Sequence, residues 1–252
     1  MVGYNTSTEP QSSNEFTALV QDQEMMIIPS YTLESGDVLR NVPVAYKTWG
    51  QLNAQANNCM VICHALTGSS DVADWWGPLL GSGRAFDTSQ FFVVCCNVLG
   101  SPYGTASPLT VNPDTGARYG PNFPLTTIRD DVRLHRLVLD ELGVKQVAIC
   151  IGGSLGGMQC LEWAMFGEEY VRVVVPIATC GKHSAWGISW GEAQRQAIYS
   201  DPNYCKYTHE LLLLGWMNKG THDTLEQRCM CEVDCGIPCL DCVRTGRCGP
   251  TK

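Results

Sequence analysis

Apolar and polar positions along this chain fall into short blocks of two kinds. Met25 to Leu33 and Val38 to Tyr46 are apolar-rich stretches of strand length, and between them stand Glu34, Ser35, Gly36 and Asp37, residue types that turn a chain. This spacing predicts an antiparallel hairpin. Asn58 to Cys63, ending at His64, and Gln90 to Cys96, ending at Asn97, are nearly unbroken apolar runs, the pattern of strands covered on both faces. Thr126 to Leu142 changes period: Ile128, Val132, Leu137, Leu139 and Leu142 stand among charges as along one side of a helix, and Gly143 stops it. Gln146 to Ile151 then reads as a fifth strand, Ser154 to Phe166 as a helix, Tyr170 to Ala178 as a sixth strand and Trp186 to Tyr199 as one more helix. Strands that alternate with helices pair in parallel through right-handed crossovers, so the fold class is α/β. The sheet is mostly parallel, with an N-terminal antiparallel hairpin and helices on both faces.

Three stretches do not follow this rhythm. Residues 1–24 are rich in Ser, Thr, Asn and Gln and read as a disordered lead-in. Leu99 to Pro124 is a long Pro- and Gly-rich connection, and one of that length in a compact domain is more often functional than idle. Residues 205–252 carry no convincing strand, yet hold 7 of the 14 cysteines. The core domain is therefore placed at residues 25–204, with an aberrant or disordered Cys-rich tail after it. Cys239 and Cys242 form a single C-x-x-C pair, whereas zinc sites usually show two pairs or a pair with spaced histidines, so no metal site is expected. The other cysteines lie mostly inside apolar runs and behave as small buried hydrophobes of a reducing compartment.

Composition narrows the picture further. With 252 residues and 44% hydrophobic content, the chain can bury one sizeable core. A net charge of −8, with 17 Lys and Arg scattered and never in runs, argues against nucleic-acid partners and anionic membranes. No apolar stretch approaches the ~18 residues of a membrane span, and no basic-then-apolar order marks a secretory signal. Glu9, Glu15 and Asp22 speak against an organelle presequence, so a cytoplasmic location is expected.

Chemistry concentrates at Gly152, Gly153, Ser154, Leu155 and Gly156, a sharp turn between a strand and a helix. A nucleophilic serine must stand clear of its strand, and the bend that lifts it leaves no room for side chains two places before and after, hence Gly152 and Gly156. A phosphate cradle would instead show G-x-G-x-x-G, or Lys followed by Ser or Thr, and neither is present. Ser154 is thus the candidate catalytic nucleophile. The amide of Leu155, at the positive end of the helix, is the first candidate oxyanion donor, and the backbone of Leu66, in the loop after the third strand, is the second. His64 is better read as a hydrogen-bonded histidine at a strand end than as a catalyst. Trp75, Trp76 and Arg84 would border the pocket, although a tryptophan pair more often packs in a core. His183 follows the sixth strand on the side where such a site lies, and it would serve as a base only if a third group oriented it within roughly 3 Å of the serine.

Taken together, His64 to Ser70, Arg84 to Thr88, Asn97 to Pro108, Tyr119 to Arg133 and Gly152 to Trp163 resemble the homoserine O-acetyltransferase family, the acyltransferase branch of the α/β-hydrolase fold. The stretches NVLGSPYGTASP and SWGEAQRQAIYSDPNY look most like its fungal members. The resemblance covers about residues 25–204 and implies transfer of an acetyl group from acetyl-CoA, a substrate and not a bound cofactor, to the side-chain hydroxyl of L-homoserine in methionine biosynthesis. It implies an acetyl-serine on Ser154, small-molecule substrates only, and often a homodimer. It also implies a triad Asp and His on later strands and loops; neither is found in this chain, since from Cys205 onward the likeness stops, and His209 and His222 are not promoted. The fold is accordingly expected to be incomplete, lacking the last strands, and the chain to be inactive by itself. A related O-acyltransferase acting on serine or deacetylcephalosporin C, or a catalytically dead binding protein, are the alternatives.

Overall fold

In the computed structural model, residues 5–6 and 14–200 are described. Seven strands form one sheet: β1 Asn5–Thr6, β2 Glu24–Thr32, β3 Val38–Trp49, β4 Cys59–Cys63, β5 Phe92–Cys96, β6 Val147–Gly153 and β7 Val174–Ile177. The helices are α1 Val72–Trp76, α2 Ile128–Glu141, α3 Leu155–Ala164 and α4 Ala185–Tyr199. Strand order across the sheet is β1-β2-β3-β5-β4-β6-β7.

The hairpin forms as its turn residues dictate. Leu33 donates its amide to Asp37 at 2.9 Å, and β2 and β3 pair antiparallel from Thr32 opposite Val38 to Glu24 opposite Tyr46. β3 runs beyond the predicted Tyr46 because its last residues find a second partner: Tyr46 to Trp49 pair antiparallel with β5. From there the sheet is parallel, β5 with β4, β4 with β6 and β6 with β7.

Alternation along the central strands explains why they read as unbroken apolar runs. Cys59, Val61 and Cys63 of β4 join the core that includes Val132, Val138 and Leu139 of α2 and Cys160 and Trp163 of α3. Met60 and Ile62 face the other way, into a second core with Val72, Phe86, Trp75 and Trp76 around α1. Both faces are covered, and buried strands of this kind show no polar stripe. The short α1 was not foreseen, since only Val72 of its residues is fully buried and no helical period can register in five residues.

α2 starts at a capping box. The Thr127 hydroxyl accepts from the Asp130 amide at 3.1 Å, and the Asp130 carboxylate accepts from the Thr127 amide at 2.9 Å. The same Asp130 accepts from the Glu34 amide, and its carbonyl accepts from the Tyr31 hydroxyl at 2.7 Å, so the helix start is tied to the hairpin turn.

Two expectations need correction. The lead-in is not unstructured throughout: Thr17 and Val20 are buried, Asn14 donates to the Pro102 carbonyl at 2.7 Å, and Gln23 donates to the carbonyls of Thr17 and Tyr103. Polar composition concealed this, because these side chains satisfy loop backbone and not solvent. The sixth predicted strand is also shorter, Val174–Ile177, and among the described residues it lies at one edge of the sheet, with Val173 and Ile177 49% and 42% exposed. Residues 205–252, with Cys239, Cys242, His209 and His222, lie outside the described residues.

Candidate active site

Ser154 stands between the last residue of β6 and the first of α3, at φ 55° and ψ −118°. That conformation is costly for any residue with a Cβ and persists only when its surroundings enforce it. Here they do. The Ser154 amide donates to the Ile177 carbonyl at 3.0 Å, while its carbonyl accepts from the Met158 amide at 3.1 Å and from the Thr179 hydroxyl at 2.8 Å. The backbone is held from both sides, and the side chain is exposed.

The glycines around it are spaces filled by neighbouring chain. A Cβ on Gly152 would meet the carbonyl of Gly156 at 2.6 Å and that of Cys63 at 2.7 Å, and one on Gly156 would collide with the Cys63 carbonyl. A Cβ on Gly157 would lie 2.6 Å from the side chain of Thr179. The start of α3 therefore presses directly on the end of β4 and on the segment after β7, a closeness only glycine permits.

Leu155 opens α3, so its amide has no acceptor within the helix. Leu66 lies in the turn after β4 that Gly68 closes by donating to the Ala65 carbonyl at 2.9 Å. Since Cys63 of β4 pairs with Gly152 of β6, both segments leave the sheet side by side at the carboxyl ends of adjacent parallel strands. This is where open α/β sheets place their sites.

Residues 58–210 match the family described as alpha/beta hydrolase fold. The chain belongs to that family.

Within the alpha/beta hydrolase fold, the chain has several named likenesses. It is 64% identical over 200 residues to "Homoserine O-acetyltransferase" of Emericella nidulans, a match covering 78% of this chain and 41% of that protein. The crystal structure of homoserine O-acetyltransferase from Bacillus anthracis is similar at a TM-score of 0.67 and 29% identity, covering 77% of this chain and 58% of that one. An acetylester hydrolase from Corynebacterium glutamicum is similar at a TM-score of 0.70 and 25% identity, covering 91% and 68%. The resemblance drawn from the motifs is borne out, and the chain spans about two fifths of the length of the curated relatives it matches.

The remaining candidates have structural partners. His64 is fully buried; its Nδ1 lies 2.7 Å from the Ala65 carbonyl, and its Nε2 accepts from the Val98 amide at 3.2 Å. These two contacts make the ring a strut between β4 and the loop after β5. Trp75 donates to the Ser69 carbonyl, Trp76 packs on Phe86 at 5.5 Å between ring centroids, and Arg84 donates to the Gly77 carbonyl, so this group builds the second core and its rim. His183 has its Nδ1 3.8 Å from the Cys180 thiol and close to Gly187. No contact brings it to Ser154 among the described residues.

Two residues that matter here were not singled out. Thr179 grips the Ser154 carbonyl, and the small Gly157 opposite it was the available signal. Asn97, at the end of β5, is fully buried; it accepts from the Ser70 amide at 2.6 Å and donates to the Tyr103 carbonyl at 2.9 Å. No helix among the described residues is long and apolar enough to cross a membrane. Among them, one group of side chains has metal-ligand spacing, Cys63, Cys150 and Cys160, beneath the bend that carries Ser154.

Proposed function

We propose that Ser154 accepts an acetyl group from acetyl-CoA and passes it to the side-chain hydroxyl of L-homoserine, a step of methionine biosynthesis in the cytoplasm. The strained, clamped and exposed serine at the β6–α3 junction supports this reading most, because such a conformation is maintained at a cost and lifts the hydroxyl away from the sheet. In the first step the serine oxygen attacks the thioester carbonyl, its proton passes to a base, and the amides of Leu66 and Leu155 stabilise the oxyanion until the carbon–sulfur bond breaks and the thiol leaves. In the second, the homoserine hydroxyl attacks the acetyl-serine and the serine oxygen leaves with a proton.

Both steps need a base to take the proton and return it.

The test is incubation with isotopically labelled acetyl-CoA and mass analysis of the peptide containing Ser154, with and without L-homoserine. Label on Ser154 that homoserine discharges as its O-acetyl ester supports the proposal. Label discharged equally fast by water favours an ester hydrolase, the activity named for the Corynebacterium glutamicum neighbour. A folded chain that never acquires label is a binding protein, and the proposal fails.

A further inference from the structure

We propose that Cys63, Cys150 and Cys160 form a three-thiol site for trivalent arsenic, taken up as arsenous acid. The sulfurs come from three elements, the end of β4, the middle of β6 and the second turn of α3, which the fold brings to one point under the Ser154 bend. Cys63 Sγ lies 3.8 Å from Cys150 Sγ, Cys150 Sγ lies 3.6 Å from Cys160 Sγ, and all three fall within 4.8 Å of one another. An atom bonded to three sulfurs needs them gathered around one point, and these three sulfurs already converge there.

Charge selects the occupant. All three cysteines are buried in the apolar core that contains Val61, Val147 and Trp163. A divalent ion with three thiolates leaves a net negative charge in that core, which is costly without a counter-charge. Arsenic(III) with three thiolates is neutral. Three arsenic–oxygen bonds break and three arsenic–sulfur bonds form, each thiol hydrogen leaves with a hydroxyl as water, and nothing is oxidised or reduced.

The seven cysteines from Cys205 to Cys248 would also take arsenic, so the full-length chain with those seven changed to serine is the parent for the test. Native mass spectrometry after incubation with arsenous acid is expected to show one arsenic gained and three hydrogens lost per chain, with a rise in the thermal midpoint. Cys150→Ala and, separately, Cys160→Ala should lose both signals while keeping the parent's far-ultraviolet circular dichroism. A folded parent that binds no arsenic overturns the proposal, whatever the variants do. So does undiminished uptake by a folded Cys150→Ala or Cys160→Ala chain, or uptake of zinc in preference to arsenic by the parent.

Discussion

The carbonyl oxygen of Cys63 abuts Gly156 so closely that no methyl group fits between the end of β4 and the first turn of α3. Both obstructing groups are backbone, which cannot swing aside as a side chain would. Gly156→Ala is therefore expected to push α3 off the sheet and destabilise the fold by roughly 1–3 kcal/mol, the usual cost of overpacking. Gly77→Ala, where a methyl group meets nothing within 4 Å, is the control and should stay within about 0.5 kcal/mol. Urea denaturation of the two variants checks this. Equal midpoints would show that the contact between β4 and α3 is not tight.

Ser154 poses the opposite case. Its backbone occupies φ 55° and ψ −118° although the side chain is exposed. Glycine adopts such angles freely, so Ser154→Gly should relieve strain and raise stability by a net of about 1 kcal/mol while abolishing acetyl labelling. Ser154→Ala removes the hydroxyl but keeps the strain, so it should lose labelling without the gain. Thermal midpoints of the three proteins separate these outcomes. A glycine variant less stable than the alanine variant would contradict the strained-bend account.

How far the sequence foretold this arrangement depends on the range of the interaction. The bend itself was legible because its requirements are local: two glycines at fixed offsets from a serine, an apolar run before and a helical pattern after. α2 was legible for the same reason, since Thr127, Asp130 and the spacing of Ile128, Val132 and Leu139 all lie within one helix. Position within the sheet was not. Val173 to Ile177 looks as apolar as β4, yet β4 is covered on both faces and, among the described residues, β7 lies at an edge, because hydrophobic pattern records what a segment prefers and not which neighbour covers it. Gln23 was missed for a related reason: its partners Thr17, Tyr103, Ser70 and Asn97 include residues up to 80 positions away.

Asn97 is the centre of that hidden network. Its side chain accepts from the Ser70 amide, donates to the Tyr103 carbonyl and to Gln23, and lies wholly out of solvent. Asn97→Ala would leave the Ser70 amide and the Tyr103 carbonyl without this partner in a buried place, a loss of about 2–4 kcal/mol. The loop from Leu99 to Pro124 should loosen with it, since the Asn97 carbonyl also accepts from the Thr105 hydroxyl at 2.9 Å. Hydrogen exchange should rise at Tyr103 to Thr110 and not in α2; unchanged exchange in that loop would assign its order to other contacts.

Asp87 supplies a test that pH can read. The Ser89 hydroxyl donates to its carboxylate at 2.6 Å, the Gly83 and Ser89 backbones add hydrogen bonds, and Gln90 donates at 3.0 Å, which together hold its pKa down at about 2. In the unfolded chain the same group titrates near ~3.9, so the folded state binds its proton more weakly. The stabilisation is therefore fully present above about pH 4 and lost as pH falls through the interval toward 2. Asp87→Asn cannot titrate there. It should be less stable than the parent at neutral pH, and the difference should shrink steadily below pH 4. Denaturant midpoints taken every half unit from pH 6 to pH 2 check this, and a gap that stays constant across the range would show that these hydrogen bonds do not favour the carboxylate over the acid.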